Sequence, residues 1–310
     1  MNYKLKLAIE TLVGILIIAF LLSKLNISEI VSILSHTSYL LLSLAILIYI
    51  VSFVITAYGL KVLFDSIEHI RFKIWLKYYL STFSLGLVLP GQAGPFSLIY
   101  FLKRDKFSIG STTALVIIDK LTTLLVFGII SILGLLLFIP TKEIYFGILM
   151  MCVILLLGIF LFSEIGRMTI KRILGKYSVK FTNFYGAFKN LMVHNKSKFI
   201  INLIVTLLRP FLNGLLIVVI FKSLGYDVSL LYAIVISSIT LIVSLIPLTP
   251  NGLGIREGTG LLLFNKLSIP FEATLAMYLI IIFMSYSSGI VGLIYYFCNK
   301  QDENKFLKSV

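Results

Sequence analysis

Charge is scarce in this chain. Asp, Glu, Lys and Arg make up 13% of its 310 residues, about half the share usual in a soluble domain. That shortage excludes a free-standing cytosolic enzyme. It also excludes a nucleic-acid-binding domain, which the net charge of +14 would otherwise suggest. Cysteine is scarcer still: Cys152 sits inside an apolar run and Cys298 at the end of another, so no disulfide framework is in view. His36, His69 and His194 fall in loops or at their edges. With no His-x-x-x-His pair and no cysteine at metal spacing, neither a metal nor a cofactor is expected. Walker loops and nucleophile elbows are absent, and Gly252–Gly258 lacks both the spacing and the βαβ setting of a dinucleotide loop. No catalytic residue is therefore named.

What the chain has in quantity is apolar surface. Hydrophobic residues reach 59% and mean hydropathy is +1.06, so its solvent is lipid. Crossing a bilayer takes about 20 apolar residues in a helix. Six stretches qualify: Leu7–Leu25, Tyr39–Leu60, Ser108–Phe138, Ile144–Phe162, Phe199–Phe221 and Phe271–Phe297. The first has a basic start but no small-residue cleavage pattern, so it is expected to be retained. Two further stretches are interrupted. Residues 75–102 are broken by Pro90, Gly91, Gln92 and Gly94, and residues 230–266 by Pro250, Asn251, Gly252 and Gly254. Proline removes a backbone donor and glycine permits sharp reversal, so both read as helix hairpins. The expectation is an all-α polytopic membrane protein of about six full spans plus two broken re-entrant hairpins.

Basic residues orient this layout, because cytoplasmic segments collect them. With the amino terminus inside, 20 of the 27 Lys and Arg residues fall in cytoplasmic segments, four outside, and three within the spans. Both termini are thus expected in the cytoplasm of a multi-pass cell-membrane protein. Each half reads span, span, hairpin, span, with Tyr39 against Phe199, Pro90 against Pro250 and Ser108 against Phe271. An odd number of crossings inverts the second half relative to the first. The single domain of residues 1–310 therefore divides into inverted halves, 1–140 and 141–300, with a tail at 301–310. Such repeats with broken helices are a transporter architecture. Residues 164–198 carry a helical apolar stripe interspersed with Lys171, Arg172, Lys176, Lys180 and Lys189. They read as a basic amphipathic helix on the inner leaflet or as a plain basic connector.

The informative residues are polar ones placed where lipid should be. A charge at the centre of a spanning helix costs about 2.5–3.5 kcal/mol, so it should be paired or face a cavity. Arg209, followed by Pro210 and Asn213, lies mid-span; it would bond the carbonyl that the proline frees or line a cavity. Asp119-Lys120 lie in the span after the first hairpin, and Arg256-Glu257 open the return helix of the second. Neighbours on a helix point about 100° apart, so cross-pairing is expected, Asp119 with Arg256 and Lys120 with Glu257. Two readings follow: the bridges clamp the hairpin to the bundle, or Arg256 contacts a substrate anion. A helix beginning near Gly252 would aim free N–H groups and its positive end inward, and Gly252 and Gly254 would let a headgroup approach.

The stretches Leu89-Pro90-Gly91-Gln92-Ala93-Gly94 and Pro250-Asn251-Gly252-Leu253-Gly254-Ile255-Arg256-Glu257-Gly258 resemble the signature turns of the flippase-like family. Its other name is the lysylphosphatidylglycerol synthase transmembrane region. The order of spans fits over roughly residues 5–300. The resemblance implies lipid translocation, of aminoacylated phosphatidylglycerol in bifunctional relatives or of polyprenyl-linked lipids in those that accompany glycosyltransferases. Asp119-Lys120 stand where the family usually has Glu-Arg, and its usual arginine is missing from residues 278–286. Only Asn299–Val310 follow the last span, so no aminoacyl-transferase domain is expected here. Three functions compete: a flippase whose partner is a lipid with an anionic or aminoacylated headgroup, a lipid-modifying transferase, and a membrane partner of a separate lipid synthase or glycosyltransferase. The first leads. In it Lys120, Arg209 and Arg256 hold the phosphate, and Asp119 and Glu257 are counter-ions or amine partners.

Overall fold

A computed structural model describes residues 25–89, 94–102, 107–135, 183–246 and 248–308, with isolated positions between 12 and 23 and between 152 and 172. Helices α1 (Ile27–Ser35), α2 (Tyr39–Phe64) and α3 (Phe72–Gly86) lead to a 3-10 turn (Gly94–Ser97) and the short α4 (Leu98–Leu102). Then come α5 (Ile109–Leu135), α6 (Phe184–Lys189), a π turn (Asn190–His194) and α7 (Lys196–Ser223). The chain closes with α8 (Leu230–Ser244), α9 (Ile255–Asn265) and α10 (Phe271–Lys308). The described residues form no strand.

Among the described residues, four helices are long and apolar enough to cross a membrane: α2, α5, α7 and the Phe271–Tyr295 part of α10. The outer surface of α2 carries Leu40, Leu44, Leu47, Ile50 and Val51, all exposed, the reverse of a soluble helix. Several hydroxyls of α5 are satisfied within their own helix. Thr113, Thr122, Thr123 and Ser131 of α5 each donate to the carbonyl four residues earlier, at 2.7–2.9 Å, so no hydroxyl proton faces lipid unbonded. The remaining two expected spans fall mostly outside the described residues. The described positions at 12–14, 16–17, 19–20 and 22–23, and at 152, 156 and 160, are helical.

Both interrupted stretches are divided: α3 ends at Gly86 and helix resumes at Gly94, and α8 ends at Ser244 with α9 starting at Ile255. The return of the first is the 3-10 turn plus five helical residues; the arms of the second are α8 with 15 residues and α9 with 11. At 1.5 Å per residue, α8 reaches about 22 Å and α9 about 17 Å, short of a hydrocarbon core of about 30 Å. The two turns meet: the Asn251 N–H donates to the Leu89 carbonyl at 3.2 Å.

Packing pairs elements distant in the chain. Helix α2 packs most extensively on α7, α3 on α10, and α5 on α8. Small residues allow the approach. A side chain on Gly134 of α5 would lie 2.1 Å from Val235 of α8, and one on Gly292 of α10 would lie 2.3 Å from the Leu80 carbonyl of α3. Across the latter seam Ser84 donates to the Gly289 carbonyl at 2.6 Å. One apolar cluster gathers Leu63, Phe64, Trp75, Leu102 and Leu115 with Leu191, and another gathers Phe221, Ile236, Phe264 and Met277 with Ile30.

Two sequence expectations change here. The end of the basic segment does not lie free on a leaflet: Ala187 and Leu191 are buried and Phe184, Phe188 and Met192 pack on the first cluster, while Asn190 donates to the Ser66 carbonyl at 2.8 Å. Its apolar stripe finds protein, which offers close-packed contacts as well as an apolar surface. Most of residues 164–182 lie outside the described residues. The expected tail is a continuation of α10 through Lys308, since no proline or glycine interrupts it after Gly292.

Candidate functional site

Each of α2, α3, α7 and α8 turns a stripe of positions at three- and four-residue spacing toward one cavity of about 300 Å³. The stripes are Tyr49, Ser52, Phe53 and Thr56; Tyr79, Thr82, Phe83 and Gly86; Arg209, Asn213, Leu216 and Ile217; and Ser237, Thr240, Leu241 and Ser244. That spacing puts residues on one helix face. Lys120 of α5, Arg256 of α9, Tyr278 of α10, Gly94 and Asn251 are also part of the wall. All three intramembrane cations identified from sequence thus line the same space, with Asn213, Gly94 and Asn251. Pro90, Gly91 and Gln92 lie outside the described residues.

The cations are held differently. Arg209 Nη1 donates to Thr123 Oγ1 at 3.1 Å, and its guanidinium lies 5.7 Å from the centre of the Phe127 ring. It bonds a neighbouring helix instead of the carbonyl that Pro210 frees. Lys120 has no hydrogen bond or salt bridge among the described residues, although Asp119 and Arg209 lie within Coulombic reach. Arg256 donates to Glu257 Oε1 from Nη2 at 2.8 Å and from Nε at 3.1 Å, and its guanidinium stands 5.8 Å over the Tyr278 ring.

That last pair corrects the expected cross-pairing. Glu257 bonds its own neighbour, and Asp119 accepts a hydrogen bond from Asn202 Nδ2 at 3.1 Å. The cause is helix capping. Glu257 folds back on the start of α9 and accepts the Gly254 N–H at 2.6 Å, which holds its carboxylate beside the Arg256 stem. The side-chain reach of arginine then closes a gap that backbone angles alone would leave open. Glu257 is fully buried and Asp119 nearly so, and neither lines the cavity.

The turn glycines are also used otherwise than expected. Helix α9 begins at Ile255, and its positive end is occupied by Glu257, not left open. Gly252 (φ +74°) would place a side chain 2.3 Å from Ser244, and Gly254 (φ +84°) one 2.7 Å from Ile17 of the first span. Their missing side chains admit protein, not a ligand. Pro250 is buried beside them, whereas a side chain on Gly258 would meet nothing within 4 Å.

The sequence reading missed the hydroxyl lining. Its signal was present, since Ser, Thr and Tyr recur at three- and four-residue spacing along runs that are otherwise apolar. The described residues contain no group of three or more His, Cys, Asp or Glu side chains suited to a metal ion.

A family model for the lysylphosphatidylglycerol synthase TM region matches residues 7–292. The chain belongs to this family. The match takes in both hairpins and every cavity-lining residue, so the cavity of this synthase TM-region member lies wholly inside the family's extent. It is a membrane protein with a lipid-related setting. No curated protein matches the chain.

Proposed function

We propose that this protein is a flippase-like carrier that moves a lipid headgroup through the cavity between its two hairpins while the tails stay in the bilayer. The observation that carries the reading is the gathering of Lys120, Arg209 and Arg256 around one cavity in a chain otherwise built for lipid. Buried cations facing a cavity mark an ion or headgroup path. The family's name, a synthase membrane region, agrees with a lipid cargo.

Inverted halves account for the packing. Exchange α1 with α6, α2 with α7, α3 with α8 and α5 with α10, and the contact of α3 with α10 becomes that of α8 with α5. The contact of α1 with α10 likewise becomes that of α6 with α5, and α2 with α7 maps onto itself; all these pairs are in contact. Tyr49, Phe53 and Thr56 stand 160 residues before Arg209, Asn213 and Leu216, and all six line the cavity. A two-fold relation between halves in a six-span layout with cytoplasmic termini lets the hairpins open to opposite sides in turn. The Asn251–Leu89 contact is then the closed seam between their tips.

The test is headgroup exposure in vesicles reconstituted with the full chain. Arg256→Ala and Lys120→Ala should slow exchange at least tenfold, while Lys222→Gln, exposed and away from the cavity, should not. Wild-type rates in both cavity variants would refute the site.

A further inference from the structure

Resting on the lipid reading, we infer that the cavity takes an anionic phosphodiester with a neutral, hydroxyl-bearing headgroup, and discriminates against the aminoacylated form of the same lipid. Three cations line the space and no carboxylate does. Glu257 is paired with Arg256 and the Gly254 N–H, and Asp119, held by the neutral Asn202 amide, lies behind the wall within Coulombic reach of Lys120. An incoming ammonium would be a further cation in a low-dielectric chamber with no carboxylate on its wall to meet it.

Lys120 and Arg209 supply the complementary half of the argument. Neither has a salt-bridge partner among the described residues; each lies within Coulombic reach of the other, and the Asp119 carboxylate offsets this only from behind the wall. Like charges held close inside a membrane protein are costly, and an anion seated between them removes the cost. A phosphate offers several acceptor oxygens to one ammonium and one guanidinium. The Thr82 hydroxyl, 1% exposed and without a hydrogen-bond partner, is a further donor on this wall.

The remaining lining hydroxyls point to the rest of the headgroup. Thr56, Ser237, Thr240 and Ser244 donate their protons to carbonyls of their own helices. The oxygens of Thr56 and Ser237 keep acceptor capacity, suited to the hydroxyls of a glycerol-like or sugar-like headgroup.

Binding, not transport, separates this inference from the flippase reading. Purified full chain in detergent would be titrated with short-chain phosphatidylglycerol, its lysyl ester, phosphatidylcholine and inorganic phosphate, with affinity read by thermophoresis. Phosphatidylglycerol should bind at least tenfold tighter than the other lipids. Lys120→Gln and Arg209→Gln should erase that preference, Arg209→Lys should keep most of it, and Lys222→Gln should change nothing. Circular dichroism and gel filtration would confirm that each variant is folded. Lysyl ester binding as tightly as phosphatidylglycerol would overturn the inference, as would unchanged preference in folded Lys120→Gln and Arg209→Gln. Inorganic phosphate binding as well as the lipid would overturn the assignment to a lipid. Selective binding without headgroup exchange in vesicles would leave this inference standing and remove the flippase reading.

Discussion

Removing Glu257 isolates the part of the site that holds the second hairpin together. Its carboxylate accepts the Gly254 N–H at 2.6 Å and two Arg256 donors at 2.8 and 3.1 Å. In Glu257→Ala the guanidinium loses its counter-ion. Breaking a buried pair from one side costs about 3–5 kcal/mol. Because 24% of the Arg256 side chain remains exposed, the lower end applies, about 3 kcal/mol. Loss of the bond at the head of α9 adds about 1 kcal/mol, for a total near 4 kcal/mol. Glu257→Gln keeps an acceptor oxygen at the same reach and should cost about half as much. Adding Arg256→Ala to Glu257→Ala removes the stranded charge, so the double variant should be about 2 kcal/mol more stable than Glu257→Ala alone. The assay is reversible unfolding in mixed detergent, followed by circular dichroism. A Glu257→Ala protein within about 1 kcal/mol of wild type, or a double variant no more stable than that single one, would refute the reasoning.

The turn glycines should separate by position: Gly252→Ala, with φ +74° and an overlap on Ser244, should lose about 2–3 kcal/mol. Gly258→Ala, with nothing within 4 Å, should hold or gain up to about 1 kcal/mol; equal effects in unfolding titrations would contradict the packing account. Asn202 donates to both the Gly59 carbonyl at 3.0 Å and Asp119 at 3.1 Å, so Asn202→Ala should cost about 2–4 kcal/mol. Adding Asp119→Asn should recover part of that loss, and no recovery would count against a stranded carboxylate as its cause. A Leu89→Cys, Asn251→Cys pair, in a chain with Cys152 and Cys298 replaced by serine, should cross-link under mild oxidant because the two backbones touch. Headgroup exchange should stop on oxidation and return on reduction; transport unchanged in fully cross-linked protein would exclude separation of the tips.

The sequence by itself determined the lengths and breaks. Apolar runs of about 20 residues have one low-energy form in lipid, a helix with every backbone group bonded internally, so α2, α5, α7 and α10 follow from hydropathy. The hairpin arms end within the stretches that the sequence marks as broken, α3 at Gly86 and α8 at Ser244, each a few residues before a proline. The cations Lys120, Arg209 and Arg256 were conspicuous because charge within an apolar run is costly wherever it lies. Tertiary structure alone decided which partners those charges take. Asp119 meets Asn202 and Glu257 meets Arg256 because capping at Gly254 and the packing of α2 on α7 fix where each side chain ends, and neither is visible in residue spacing. Tertiary structure likewise chose protein, not ligand, as the occupant of the Gly252 and Gly254 gaps. It also brought the stripes of four separate helices, with Lys120 and Arg256, to one cavity. A stripe on one helix reports a polar face, and only the convergence of several helices makes that face the wall of a site.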